Sequence, residues 1–167
     1  WLPIKTFIGV TKPLGNELHS VLKKPLGFSD NRRAGNYYRV LPGNRLSWGR
    51  GISAVGKFTS LSLKRAISKE ISYFFPELRN VEIDYVWFGN MAYASHYMPY
   101  VGSIKIGNEE KNVFTLMGFG GHGMNTAPGS AMVLADFILG KSSKHEVFNR
   151  FRRKWNGGLI GPYIAEM

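Results

Sequence analysis

The sequence predicts a mixed α/β fold of α+β-like character, and three patterns carry that reading. Asn112 to Met117 is a β-branched and apolar run that enters a glycine turn and then a helix-forming segment. Leu63, Ile67, Ile71 and Phe74 recur at helical spacing and share one helix face. Val81-Glu-Ile-Asp-Tyr-Val-Trp87 alternates apolar with polar, the period of a half-buried strand. Strands and helices thus alternate along the chain around what should be one sizeable sheet.

In chain order, Ile4 to Val10 has strand composition and ends at a Pro13-Leu-Gly15 turn. A loop-rich stretch runs from Lys24-Pro-Leu-Gly27 to Ala34-Gly35. Asn36–Leu41 and Arg45–Gly49 form a predicted hairpin about Pro42-Gly43-Asn44. A helix follows from Ser60 to Phe75, and Pro76 stops it. The strand beginning at Val81 comes next, and Asn112–Met117 is the last strand. Two helices finish the chain: Asn125 to Leu139, with Pro128 in the first turn, then Ser143 to Trp155, where Phe148, Phe151 and Trp155 make an apolar stripe. There is no internal repeat and no low-complexity tract.

A chain of 167 residues can bury one real core or parts of two. Its 44% hydrophobic and 14% aromatic content excludes a disordered polymer. No apolar run approaches the roughly 18 residues that span a bilayer. With zero cysteines, disulfides are excluded, which is compatible with a reducing cytoplasm, the expected location. The net charge of +11 invites nucleic acid as a partner. The charges, however, are scattered over Lys23-Lys24, Arg32-Arg33, Lys64-Arg65 and Arg152-Arg-Lys154 without a nucleic-acid-binding motif. No specific nucleic-acid partner and no metal site are expected.

The chemistry concentrates in Gly118, Phe119, Gly120, Gly121, His122, Gly123, Met124 and Asn125. Gly118, Gly120, Gly121 and Gly123 free the backbone for positive φ and for close approach to a flat ligand. The helix start that follows presents unpaired N–H groups and about half a positive charge, which suits an anion or an electron-rich oxygen. The same glycines also suit a tight turn whose only task is to let the helix pack.

Three ordered motifs extend this block: Trp87-Phe-Gly-Asn90, Met98-Pro-Tyr-Val-Gly102 and the glycine block itself, preceded by Asn36-Tyr-Tyr-Arg-Val40 and Arg45-Leu-Ser-Trp-Gly49. The set resembles the C-terminal half of the FAD-dependent oxidoreductases of the D-amino-acid oxidase superfamily, closest to amine oxidases of the γ-glutamylputrescine oxidoreductase type. The similarity runs from Phe28 to Gly140, with weaker echoes over Ile8–Leu14. It implies a substrate-domain mixed sheet in 1–105, followed in 106–167 by the C-terminal strand and helix of an FAD-binding domain and a trailing helix. The N-terminal βαβ part of that domain has no counterpart here. Gly49-Arg-Gly51 lacks the third glycine of a Gly-x-Gly-x-x-Gly turn, and Gly118-Phe-Gly120 lacks the later acidic residue.

Together with the opening Trp1, this makes the chain an expected C-terminal portion of a larger flavoprotein, inactive by itself. Its partner would be the N-terminal FAD-binding half, covalently joined or as a separate chain. A subunit of a split flavoenzyme and an inactive remnant with only a binding role are the alternatives. FAD is the implied cofactor, not retained by this chain alone. Without cysteine, the chain cannot supply a thioether link to flavin as some sarcosine oxidases do. A homodimer through exposed apolar surface of the 125–139 helix is possible on this reading.

The resemblance places Gly118 to Asn125 beside the flavin. His122 and His96 are tempting acid–base groups. Between glycines at a helix start, His122 reads better as a spacer, and His96 as a loop residue; the catalytic residues are unknown. Family members that oxidise amino acids carry Trp-x-Gly-x-Arg-Pro, whose arginine grips a carboxylate. Here Trp87-Phe-Gly-Asn90-Met91-Ala92 puts Met91 in that position, which favours a small amine substrate unless Arg39 or Arg50 substitutes. Asn90 and Met91 are therefore substrate-side candidates. Tyr38 and Trp48, with Tyr37, could line an aromatic wall for a cationic amine, or could be plain core.

Overall fold

The computed structural model of the protein describes residues 1–32, 34–94, 96–106, 109–149 and 158–161. Two compact units emerge: Lys5–Asn90, and Trp1–Ile4 together with Met91–Met167. Strand pairing keeps 91–106 with the residues that follow: the strand over 100–106 hydrogen-bonds to the one over 109–117 and stays with it.

The first unit is built on a five-stranded sheet. Its strands are β1 (Leu2–Thr11), β2 (Gly27–Ser29), β3 (Tyr37–Leu41), β4 (Arg45–Ser53) and β5 (Ile83–Tyr93), in the order β2-β3-β4-β1-β5. The predicted hairpin is present as β3 and β4, antiparallel from Tyr37↔Gly49 to Leu41↔Arg45, with Gly43 and Asn44 at positive φ in the turn. A short helix, α1 (Glu17–Val21), follows the β1 turn and seats Leu18 in the core.

The helix α2 (Ser60–Phe74) covers one face of the sheet. Thr59 caps it: its hydroxyl accepts from the Ser62 N–H, and Ser62 Oγ accepts in return from the Thr59 N–H. Phe75 leaves helical geometry at φ −129°, as a residue before proline must when Pro76 crowds it. Leu63, Ile67 and Ile71 are the buried positions, so the apolar stripe faces inward. Ile67 and Ile71 belong with Leu46, Trp48, Leu78, Val81 and Ile83 to one core, where each large apolar side chain contributes roughly 1.5–3 kcal/mol.

The second unit holds the antiparallel pair β6 (Tyr100–Ile106) and β7 (Glu109–Met117), then α3 (Gly123–Ile138) and the short α4 (Glu146–Asn149). Phe137 of α3 meets Phe114 of β7 edge-on at 5.9 Å and stacks on His145 at 3.6 Å, which fastens the helix to the pair. The helix begins two residues earlier than predicted, because Gly123 and Met124 join it. Pro128 therefore sits in the second turn, where it has no N–H to offer the Met124 carbonyl. Of the predicted last helix, 146–149 is formed; Phe151 and Trp155 lie outside the described residues, as do Arg33 and Arg152–Lys154. Among the described residues no helix is long and apolar enough to cross a membrane.

Candidate functional site

The glycine block leaves β7 and turns into α3. Gly118, Gly120 and Gly121 hold φ of +85°, +55° and +90°, and Gly123 is helical and needs no such freedom. Each of the first three also has a neighbour that a side chain would strike. A Cβ on Gly118 would lie 2.0 Å from the Trp1 ring, and one on Gly120 would lie 3.0 Å from the Tyr93 ring. A Cβ on Gly121 would lie 3.0 Å from Met91 Sδ and 3.6 Å from Tyr93 Oη. At Gly123 it would meet Phe119 at an ordinary 3.7 Å.

The turn is held from the strand beside it. The Gly120 N–H donates to the Ala92 carbonyl at 3.0 Å, and Phe119 bridges to Tyr93 in antiparallel fashion. The His122 N–H is used internally, donating to Phe119 O. His122 is the N-cap residue of α3, yet its side chain makes no capping hydrogen bond. The first intrahelical bond from the i+4 position runs from Thr126 N–H to His122 O. The N–H groups of Gly123, Met124 and Asn125 therefore end the helix without a side-chain acceptor among the described residues. An uncapped, exposed N-terminus with its dipole intact is a ready site for a partial negative charge.

The structure thus brings Met91 to the glycine loop, although the sequence separates the two motifs. Tyr93 and Trp1, which the sequence reading passed over, complete the contacts. Tyr93 was accessible to a simple rule: two residues after Met91 on a strand, it shares Met91's face. His96 uses Nδ1 to accept the Met98 N–H at 3.2 Å, a local loop contact. Asn90 is exposed at the end of the first unit.

Tyr38 and Trp48 go elsewhere. They are register partners on β3 and β4 and stack at 4.7 Å, with Phe75 edge-on to both. Trp48 is 0% exposed, and its Nε1–H donates to Glu70 Oε2 on α2 at 3.0 Å. The indole is fully enclosed in this packing, and Tyr38 beside it is half-buried. Tyr37 is on the opposite face and exposed. Of the two arginines weighed against Met91, Arg50 is committed to Glu70, with Nε 3.0 Å from Oε2, an ion pair off the hydrogen-bond angle.

A family model described as FAD dependent oxidoreductase matches residues 1–137. A probable oxidoreductase OrdL of Haemophilus influenzae is 28% identical over 148 residues, which is 88% of this chain and 32% of that protein. The γ-glutamylputrescine oxidoreductase of Escherichia coli is 26% identical over 148 residues, 88% of this chain and 33% of that protein. The chain spans about a third of the length of these curated relatives. In fold it is similar to L-proline dehydrogenase from P. horikoshii, with TM-score 0.64 and 22% identity over 87% of this chain and 37% of that one. Glycine oxidase from Geobacillus kaustophilus gives 0.62 and 19% over 85% and 36%.

Proposed function

The chain belongs to the FAD-dependent oxidoreductase family, and from that premise we propose that it supplies the flavin-edge wall and part of the substrate side of an enzyme oxidising the C–N bond of a small amine. The observation that supports this most directly is the uncapped start of α3, placed behind a turn of three positive-φ glycines. FAD, when bound, would accept the hydride from the carbon that carries the nitrogen, whose C–H bond breaks as C–N becomes C=N. The residues here fit the electron-rich edge of such a group in two ways. The N–H groups of Gly123, Met124 and Asn125 donate toward negative charge and are fixed in direction by the helix, so no reorganisation is needed as charge develops. Gly120 and Gly121 hold the positive φ that brings the chain into α3 and so sets where those N–H groups point, while Tyr93 and Met91 fill the space a Cβ would take.

Met91 sets the chemistry on the substrate side. Its thioether lies against Gly121 and carries neither charge nor strong donors. A carboxylate brought there would lose hydration without a bidentate partner, so an amine lacking an α-carboxylate is the better substrate. Met91→Arg tests this in the complete flavoprotein. Activity should shift from amines toward the matching amino acids, read as the ratio of kcat/KM for the pair. An unchanged ratio would remove Met91 from the substrate side.

The association with flavin has its own test. The chain purified alone, after FAD is added and passed through gel filtration, should show no flavin band between about 350 and 500 nm, because it carries no dinucleotide fingerprint. Purified together with its FAD-binding partner half, it should show one. A stoichiometric band on the chain alone would overturn the proposed division of labour, and no band in the assembled protein would overturn the flavin-edge assignment.

A further inference from the structure

A concave feature lies wholly within the Lys5–Asn90 unit. It is a groove of about 480 Å³ between α2 and the start of β5, lined by Lys64, Arg65, Ser68, Lys69, Asn80 and Glu82 among others. We propose that this groove binds a compact polyanion: the phosphate or pyrophosphate end of a small molecule.

Its walls are fixed in advance. Ser68 Oγ–H donates to Val81 O at 2.7 Å, tying the helix to the opposite wall, and Ser72 Oγ–H donates to Ser68 O at 2.9 Å. With those protons committed, recognition falls to the cations. Lys64 Nζ is held at the groove by Asp84 O at 2.8 Å and keeps two further N–H donors. Arg65 and Lys69 are exposed and have no acidic partner among the described residues. The single carboxylate in the lining, Glu82, is neutralised by Lys12 at 2.6 Å. The groove therefore gathers positive charge at Arg65 and Lys69 that no acidic side chain among the described residues pairs with.

Its volume lies within the range of small-molecule sites, roughly 300–1,000 Å³. The lining differs from that of an ordinary apolar pocket. Three cations around a rigid concavity suit a group with several anionic oxygens, which accepts charge-assisted hydrogen bonds from more than one of them.

Isothermal titration of the whole chain with inorganic pyrophosphate tests this at low and near-physiological salt. One saturable site is expected. Arg65→Ala/Lys69→Ala should weaken it about tenfold or more, whereas Lys23→Ala/Lys24→Ala, which removes the same charge elsewhere, should leave it within about twofold. Arg65→Gln/Lys69→Gln keeps the aliphatic stems and must reproduce the alanine pair, which separates loss of charge from loss of folding. No saturable binding to the parent chain would overturn the proposal. So would equal weakening in both charge-removing pairs. Displacement of pyrophosphate by an oligoglutamate peptide at lower concentration would overturn it too, by assigning the face to an acidic protein.

Discussion

Replacing Gly121 by alanine places one methyl group where the backbone and its neighbours both resist it. At φ +90° the residue lies in territory that costs an L-amino acid about 1–3 kcal/mol. The added Cβ would also stand 3.0 Å from Met91 Sδ. The thioether is flexible and can yield by a few tenths of an ångström, so the backbone supplies most of the penalty. For a chain of this size that is a fall in melting temperature of roughly 2–12 °C. Gly123→Ala is the matched control. Gly123 is helical, and its Cβ would meet Phe119 at 3.7 Å, so alanine there should be neutral or stabilise by about 0.4–1 kcal/mol through the unfolded state. Thermal unfolding followed by circular dichroism reads both variants in the isolated chain. In the complete flavoprotein, Gly121→Val should also release flavin, because a branched side chain strains positive φ and, meeting Met91 and Tyr93, displaces the turn that leads into α3. The reasoning is falsified if the two alanine variants melt alike, or if Gly121→Val keeps parent flavin content and turnover.

Three further outcomes follow from separate parts of the molecule. Trp48→Ala should cost about 3–5 kcal/mol in urea titration, since it empties the space between Tyr38 and α2 and removes one donor from Glu70, which keeps Arg50; an unchanged midpoint with an altered amine KM would return Trp48 to the substrate site. Asp30 accepts from Arg32 and from the Asn36 N–H, and the Arg32 guanidinium holds its carboxyl well below the usual range. Its folded-state pKa being depressed, the stability it lends is present above the unfolded value near 3.9 and is lost as pH falls through the folded one. Asp30→Asn should flatten that acid limb, and a limb of unchanged slope would refute the linkage. Finally, α3 exposes Met124, Met132, Ile138 and Leu139 and buries only Ser130. The isolated chain should self-associate in sedimentation velocity, and Met132→Glu/Ile138→Glu should make it monomeric; a parent chain that stays monomeric without binding a hydrophobic dye would show that this face needs no cover.

Much of the architecture was legible because its signals are local. The helix α2 announces itself through the Leu63–Ile67–Ile71 spacing and the Pro76 stop, both within one short window. The β3–β4 hairpin follows from its turn residues, and the glycine block from its composition next to an apolar run. These features depend on backbone sterics and periodicity, which a residue carries with it wherever it lies. The elements that escaped notice have no such signature. The strand β6 holds Gly102 and Ser103 where a strong strand would carry branched residues, and exists because β7 pairs with it. Helix α1 is only five residues long and is held in place by Leu18 in the core, and β2 is three residues that add to β3.

The site divides along the same line. That Gly118 to Asn125 would form a turn and a helix start could be read from residue types alone. Tertiary packing decided that Met91 and Tyr93 lie against Gly121 and Gly120, that Gly123 joins the helix instead of the turn, and that Trp48 points toward Glu70 on α2. Local sequence determines which conformations a segment can adopt at low cost. Which distant segment stands within a few ångströms of it is determined only when strands choose partners and bury a common face.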